Sequence, residues 1–397
     1  MKSKNWPSGF VRVCAAISLL GASAGAQTPP VKSPAIALID PADAVQWQNL
    51  TRDLGWQVIA PKVAENTNAD HRALALKAAV EEAVSSGSAD PARIYLAARG
   101  EASALVFYTI SRVPDLWAAG VAIGGSPKAA VDTNRIFTAN FSSVPVLWLS
   151  AEEGREEANK LRDAKLNLEW RQVTQGAGAS VVIEWLAAHK REPFPVQVDC
   201  ETNSPQFASC YWIQMTKFDA GERNDVLEST RIPGSSGAAL DLGGFGFKLD
   251  DAGPGVLITY LPDKYSGPLK LNDRIVAIDG RQIADAKQYQ ALMEKFTEDK
   301  AAVATVQRGK ERVRLETRIV VPRRDPGVTA RVQGRYIPAD KQIEIVSRTI
   351  TEMRVTVPPG WLPVSLIWNG LTLDEIKEPG CLLLSMQKEL LRAAKCQ

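Results

Sequence analysis

Histidine is nearly absent: the 397 residues contain two, His71 and His189. Serine hydrolysis therefore lacks its ordinary base unless one of these two stands beside the nucleophile. No H-E-x-x-H, no G-x-x-x-x-G-K-[ST] and no C-x-x-C occurs, so zinc and nucleotide chemistry have no anchor and no cofactor is expected. Ser385-Met386-Gln387-Lys388 matches S-x-x-K by letter, but the S-D-N and K-T-G companions are missing. Charge of one sign is also lacking. Forty-seven Lys and Arg face forty-five Asp and Glu, for a formal net charge of +2, which leaves no basic excess for nucleic acid. Long hydrophobic runs are missing too: the apolar stretch 13–20 is far short of the ~20 residues that span a bilayer.

That stretch follows Lys2, Lys4 and Arg12 and precedes Ala24-Gly25-Ala26, a charged start, apolar middle and small-x-small cleavage site. Residues 1–26 are expected to be a secretory signal, and their removal shifts the charge to −1. Cys14 lies inside the apolar run, not just after a lipobox, which argues against a lipid anchor. The mature protein is expected to be periplasmic or secreted, with no stable membrane insertion. Four of the five cysteines then remain, Cys200, Cys210, Cys381 and Cys396. In an oxidising compartment three connectivities are open, with loop length favouring the two near pairs.

Three patterns divide the rest. Residues 33–192 alternate short apolar runs (35–39, 56–60, 93–97, 118–123, 144–149, 168–173) with amphipathic stretches (42–54, 73–85, 102–111, 152–164, 180–190). This alternation predicts a multidomain α/β plus β protein whose first part is a parallel sheet covered on both faces. Residues 195–239 and 327–397 have β-type patterns, including 211–213, 343–345, 353–357 and 365–368, with the hairpin signal Asn369-Gly370. They predict a small antiparallel β-sandwich, interrupted by residues 240–322.

The interrupting segment opens on Gly244-Phe245-Gly246-Phe247, continues through the strand 255–261 and the run from Gly267-Pro268-Leu269 to Ile278-Asp279-Gly280, and contains a helix near 285–296. Its hairpin turns around Gly309-Lys310. In that order these features resemble a PDZ domain. Asn272 stands where glycine is usual, a mild departure because Asn tolerates the left-handed conformation. The resemblance implies an anion-cradling loop with amides from Phe245, Gly246 and Phe247. It also implies a groove in which a peptide adds as a strand, lined by Ala286, Gln290 and Met293, or by Asp285, Tyr289 and Leu292 if the register shifts by one. A peptide ligand, and an envelope protease as a further partner, are the expected associations. The bland alternative is a groove filled by the chain itself.

Residues 34–191 resemble the α/β-hydrolase superfamily, especially esterases and dienelactone-hydrolase-like enzymes, through Arg93-Ile94-Tyr95-Leu96-Ala97-Ala98-Arg99-Gly100-Glu101-Ala102 and Val144-Pro145-Val146-Leu147-Trp148-Leu149. The resemblance implies a nucleophilic serine at position 100, an acid near 153–154 and a histidine near 179. This chain has Gly100, Glu153-Gly154 and Ala179 there, and Asp40-Pro41 where an oxyanion-hole turn is usual. A non-catalytic scaffold is therefore expected, with an esterase or peptidase using a displaced nucleophile as the alternative. Ser103, one turn beyond the elbow, is expected to face packing or solvent, and His71 to lie in a loop. Trp361 and Trp368 are expected in the sandwich core.

Overall fold

The structure, a computed structural model, describes residues 32–64, 67–173, 179–221, 226–232, 234, 237–262, 265–296, 298–321, 327–387 and 390–396. The expected export signal and most of the turn before Ala179 lie outside the described residues. No helix among those described is long and apolar enough to cross a membrane.

Six strands, β1 (Ser33–Leu38), β2 (Gln57–Ile59), β3 (Ala89–Arg99), β4 (Ala119–Ile123), β5 (Val146–Ser150) and β6 (Leu168–Gln172), form a wholly parallel sheet in the order β2-β1-β3-β4-β5-β6. Strands buried on both faces read as continuous apolar runs because each side chain meets a helix whichever way it points. Thus Ala35, Ala37, Ile94, Leu96 and Ala98 pack on one face and Ile36, Leu38, Tyr95 and Ala97 on the other. The first face is covered by α2 (Ala69–Ser85), α3 (Ala104–Arg112) and α5 (Arg155–Asp163), the second by α1 (Ala44–Thr51) and α6 (Ala179–Ala187). A short α4 (Lys128–Val131) follows β4. Helix α2 begins four residues before its apolar periodicity, because Asn68 Oδ1 accepts the His71 N–H at 2.9 Å and caps it. His71 is therefore helical, a correction to the loop expected from sequence.

The chain then enters β7 (Gln197–Thr202), β8 (Ser209–Cys210) and β9 (Ile213–Phe218). The run 211–213 is not one strand. Tyr211, at φ 56°, turns the chain between β8 and β9. After an inserted sheet come β17 (Ala330–Ile337), β18 (Gln342–Arg348), β19 (Ile350–Val357), β20 (Val364–Trp368), β21 (Leu371–Ile376), β22 (Gly380–Gln387) and β23 (Leu390–Lys395). These close two five-stranded sheets, β21-β20-β18-β17-β7 and β23-β22-β19-β9-β8. One pair, β18 with β20, is parallel, which corrects the purely antiparallel expectation. Strand β19 crosses to the other sheet between them, so the chain returns running the same way. Asn369 (φ 47°) and Gly370 (φ 86°) make the tight hairpin into β21. Trp212 and Trp368 are fully buried and Trp361 stacks on Tyr336 at 4.4 Å, so these rings pack the interior. Cys200 is bonded to Cys210 and Cys381 to Cys396, the near pairing.

The inserted sheet comprises β10 (Ala239–Leu240), β11 (Gly246–Phe247), β12 (Val256–Tyr260), β13 (Arg274–Ile278), β14 (Arg281–Gln282), β15 (Lys300–Arg308) and β16 (Glu311–Val320), in the antiparallel order β10-β16-β15-β13-β12-β11 with β14 on β13. Helix α7 (Ala286–Met293) buries Ala286, Tyr289 and Met293 toward Val256, Ile258, Ile275 and Val306. Its start is a reciprocal cap: Asp285 Oδ1 accepts the Gln288 N–H at 2.7 Å while Gln288 Oε1 accepts the Ala284 N–H at 2.6 Å. Asn272 takes φ 68°, the left-handed conformation its side chain tolerates.

One buried carboxylate ties these parts together. Glu201 of β7 accepts from Ser229 Oγ (2.5 Å), the Thr230 N–H (2.6 Å), Thr329 Oγ1 and Arg348 Nη2 (3.4 Å), while its backbone exchanges two hydrogen bonds with the Asn140 amide (2.7 and 2.8 Å). Ser229 and Thr230 lead into the inserted sheet, Thr329 leads out of it, and Asn140 precedes β5. A fully buried charge persists only when its oxygens are paired in this way.

Candidate functional site

Among the described residues, strand β11 is the edge of the inserted sheet and pairs only with β12. A cavity of about 260 Å³ lies beside it, lined by Phe245, Phe247, Tyr289, Gln290, Met293 and the segment 237–240. Phe247 meets the Tyr289 ring edge-on at 5.5 Å and Phe245 at 6.2 Å, giving the cavity an aromatic floor. Burial pushes the Tyr289 phenol up to about 12. At the mouth, Gly243 and Gly244 take φ 82° and 77°, a conformation that glycine reaches without steric cost. Among the described residues, the N–H groups of Gly243, Gly244 and Phe245 have no acceptor in the protein. A Cβ on Gly246 would lie 2.9 Å from Tyr260 Cβ, so only glycine lets β11 approach β12 this closely.

Of the residues expected from sequence, Phe245, Phe247, Gln290 and Met293 line this cavity. Gly246 sits in β11 between the two phenylalanines. Ala286 does not line it: fully buried, it packs under the sheet, a correction that follows from α7 turning its 286–289–293 stripe into the core. Tyr289 enters from the shifted register, whereas Asp285 caps the helix and Leu292 lines a separate depression with Arg281 and Lys295. Sequence reasoning missed Ala238 to Leu240 and Lys128. Lys128 comes from α4 of the parallel sheet, more than a hundred residues away, and no local pattern announces it.

The second candidate is the carboxyl edge of the parallel sheet, where strand order reverses between β1 and β3 and ligands of such sheets ordinarily bind. Strand β3 ends in a tight turn at Gly100 (φ 56°) with nothing within 4 Å of where a Cβ would stand. With glycine there, the turn presents no side-chain oxygen at position 100. Ser103 is buried and donates to the Ile123 carbonyl at 3.0 Å. Gly154 packs so closely on Ser150 that a Cβ would lie 2.1 Å from its Oγ, and Glu153 is exposed in the same turn. Asp40 Oδ1 accepts the Ala42 N–H at 2.9 Å across Pro41, which has no N–H of its own. Ala179 opens α6. His189 Nδ1 lies 2.8 Å from the Trp185 carbonyl, and its own carbonyl accepts from Tyr95. Tyr95 is five residues from Gly100, roughly 16 Å of strand, so His189 does not serve the turn, and His71 is exposed in the first turn of α2. Ser126, just beyond β4, donates to Glu157 Oε2 at 2.8 Å and accepts the Lys128 N–H at 3.0 Å; burial pushes the Glu157 carboxyl up.

No protein-family profile matches the chain, and no curated protein matches it. Solved structures similar to it include a thermostable esterase (18% identity, 41% of this chain and 56% of that one, TM-score 0.32). Esterase PE8 (16%, 40% and 92%, TM-score 0.28) and a bacterial heroin esterase (14%, 41% and 74%, TM-score 0.31) are also similar. The chain thus spans little more than half the length of the first of these. At TM-scores near 0.3 the likeness carries no argument about fold or activity.

Proposed function

We propose that this is an exported polypeptide-binding protein whose groove between β11 and α7, of the PDZ type, captures the carboxyl end of a peptide or protein, with the parallel sheet as a non-catalytic scaffold. The observation that carries the reading is the loop of acceptor-free N–H groups at Gly243 to Phe245 beside an apolar cavity of about 260 Å³. A terminal carboxylate takes the amides, one apolar side chain fills the cavity, and the peptide backbone pairs with β11. Two disulfides suit an oxidising compartment, periplasmic or extracellular. A protein of this kind suits presentation of substrates to a separate envelope protease.

The test is selection of free-acid hexapeptides with varied last residues on the folded protein and on Phe247→Ala. Enrichment of apolar ends by the wild type, lost in the variant, is the expected result. No enrichment, or enrichment indifferent to Phe247→Ala, sinks the reading.

A second reading, an esterase or peptidase with a displaced nucleophile, has one observation in its favour: the Ser126 hydroxyl lies 2.8 Å from the Glu157 carboxylate at the carboxyl edge of the parallel sheet. Labelling by a serine-directed fluorophosphonate that disappears in Ser126→Ala would establish it, and absence of labelling would retire it.

A further inference from the structure

The cavity beside β11 is not walled by the inserted sheet alone. Lys128, on the first turn of α4, lines it together with Gly244 and Phe245. Gly234 packs against the end of α4, where a Cβ on it would lie 2.9 Å from Asp132 Cα, and the Ala238 N–H donates to the Met293 carbonyl at 3.2 Å. The far end of α7 also faces this side. Lys160 of α5 is held up chiefly by its hydrogen bond to Glu156 and feels the Glu294 carboxylate as well. Lys128 Nζ is 2.9 Å from Asp132 Oδ2 with its side chain 39% exposed, which places the ammonium at the boundary between an ion pair and the cavity mouth. Among the described residues, Asp132 pairs with it and the Glu157 carboxylate also feels its charge.

We infer that Lys128 is a specificity residue of the groove: it gives the cavity its preference for a free carboxylate end over an amidated or internal segment. The inference rests on the peptide-binding reading and deepens it. An ammonium carries three donors, so an arriving carboxylate shares it with Asp132 while the loop amides hold the other oxygen. The loop amides alone also accept the neutral carbonyl of an amidated end. A cation separates the two, because it rewards the full charge. The arrangement also gives the parallel sheet a role without catalysis, as the wall that brings an ammonium to a composite site.

The experiment measures affinity by fluorescence anisotropy for the best free-acid hexapeptide selected on the wild type and for its C-terminal amide. Lys128→Met is expected to weaken the acid about fivefold, the worth of roughly 1 kcal/mol for a partly exposed ion pair, and to leave the amide nearly unchanged. Lys128→Arg should retain the preference. Asp132→Asn, which removes the competing carboxylate, should raise it. An acid-to-amide ratio in Lys128→Met equal to that of the wild type overturns the inference and leaves the peptide-binding reading intact. Failure of the wild type to bind any peptide overturns both.

Discussion

The turn at the carboxyl edge of the parallel sheet lends itself to a direct comparison of two glycines. Gly100 and Gly125 have nearly the same backbone, φ 56° and 58°. A Cβ at Gly100 meets nothing within 4 Å, whereas at Gly125 it would lie 2.1 Å from the Gly100 carbonyl oxygen and 3.3 Å from Ser103 Cβ. Both pay the left-handed penalty of about 1–2 kcal/mol, partly offset by the ~0.4–1 kcal/mol gained when a glycine leaves the unfolded chain. Gly125→Ala adds overpacking of about 1–3 kcal/mol. Gly100→Ser should therefore lower the stability of the parallel-sheet body by about 1 kcal/mol and Gly125→Ala by about 3 kcal/mol. Urea unfolding followed through the buried Trp47, Trp117 and Trp148 reads this difference. Gly100→Ser should also remain silent toward p-nitrophenyl esters and fluorophosphonates, since His189 lies toward the other end of β3 and the remaining histidine, His71, is exposed on α2. Equal destabilisation by the two changes refutes the steric reasoning, and ester turnover by Gly100→Ser refutes the reading of this edge as chemically empty.

Glu201→Gln should destabilise the protein by about 3–5 kcal/mol, because it deprives the buried Arg348 of its carboxylate partner and loosens both connections to the inserted sheet; thermal unfolding and proteolysis between residues 222 and 237 check this. Tyr95, Tyr211 and Tyr289 are each pushed up to about 12 by burial, against about 10 in an unfolded chain. Between those values the unfolded state has released protons that the folded state keeps. Their contribution is thus complete below pH 10 and is lost as the pH rises toward 12. Denaturant midpoints at pH 8.5, 10 and 11 should fall only above 10, and a fall beginning below 9 would contradict it.

How much of this was legible in the sequence depends on range. The parallel sheet was readable because strands buried on both faces leave uninterrupted apolar runs such as 35–38 and 94–98, and the hairpin at Asn369-Gly370 because its two residues take the positive φ they favour. The parallel pairing of β18 with β20 was not, since it depends on β19 leaving for the other sheet. The aromatic half of the groove could be named because Phe245 and Phe247 sit in one short motif. Its register on α7 was blurred by Ala286, apolar enough for either face. The contributions of Lys128 and of Glu201 come from tertiary placement and carry no local signature.

The central claim concerns the groove, and Gly246 tests it most directly. Gly246→Val places a branched side chain where a Cβ already lies 2.9 Å from Tyr260 Cβ, so β11 must leave its register beside the cavity. Calorimetric titration of the best free-acid hexapeptide, with unchanged resistance of the inserted sheet to proteolysis as the folding control, should show affinity lowered about tenfold or more, a loss of at least ~1.4 kcal/mol. Unchanged affinity in a folded Gly246→Val protein would contradict binding in this groove.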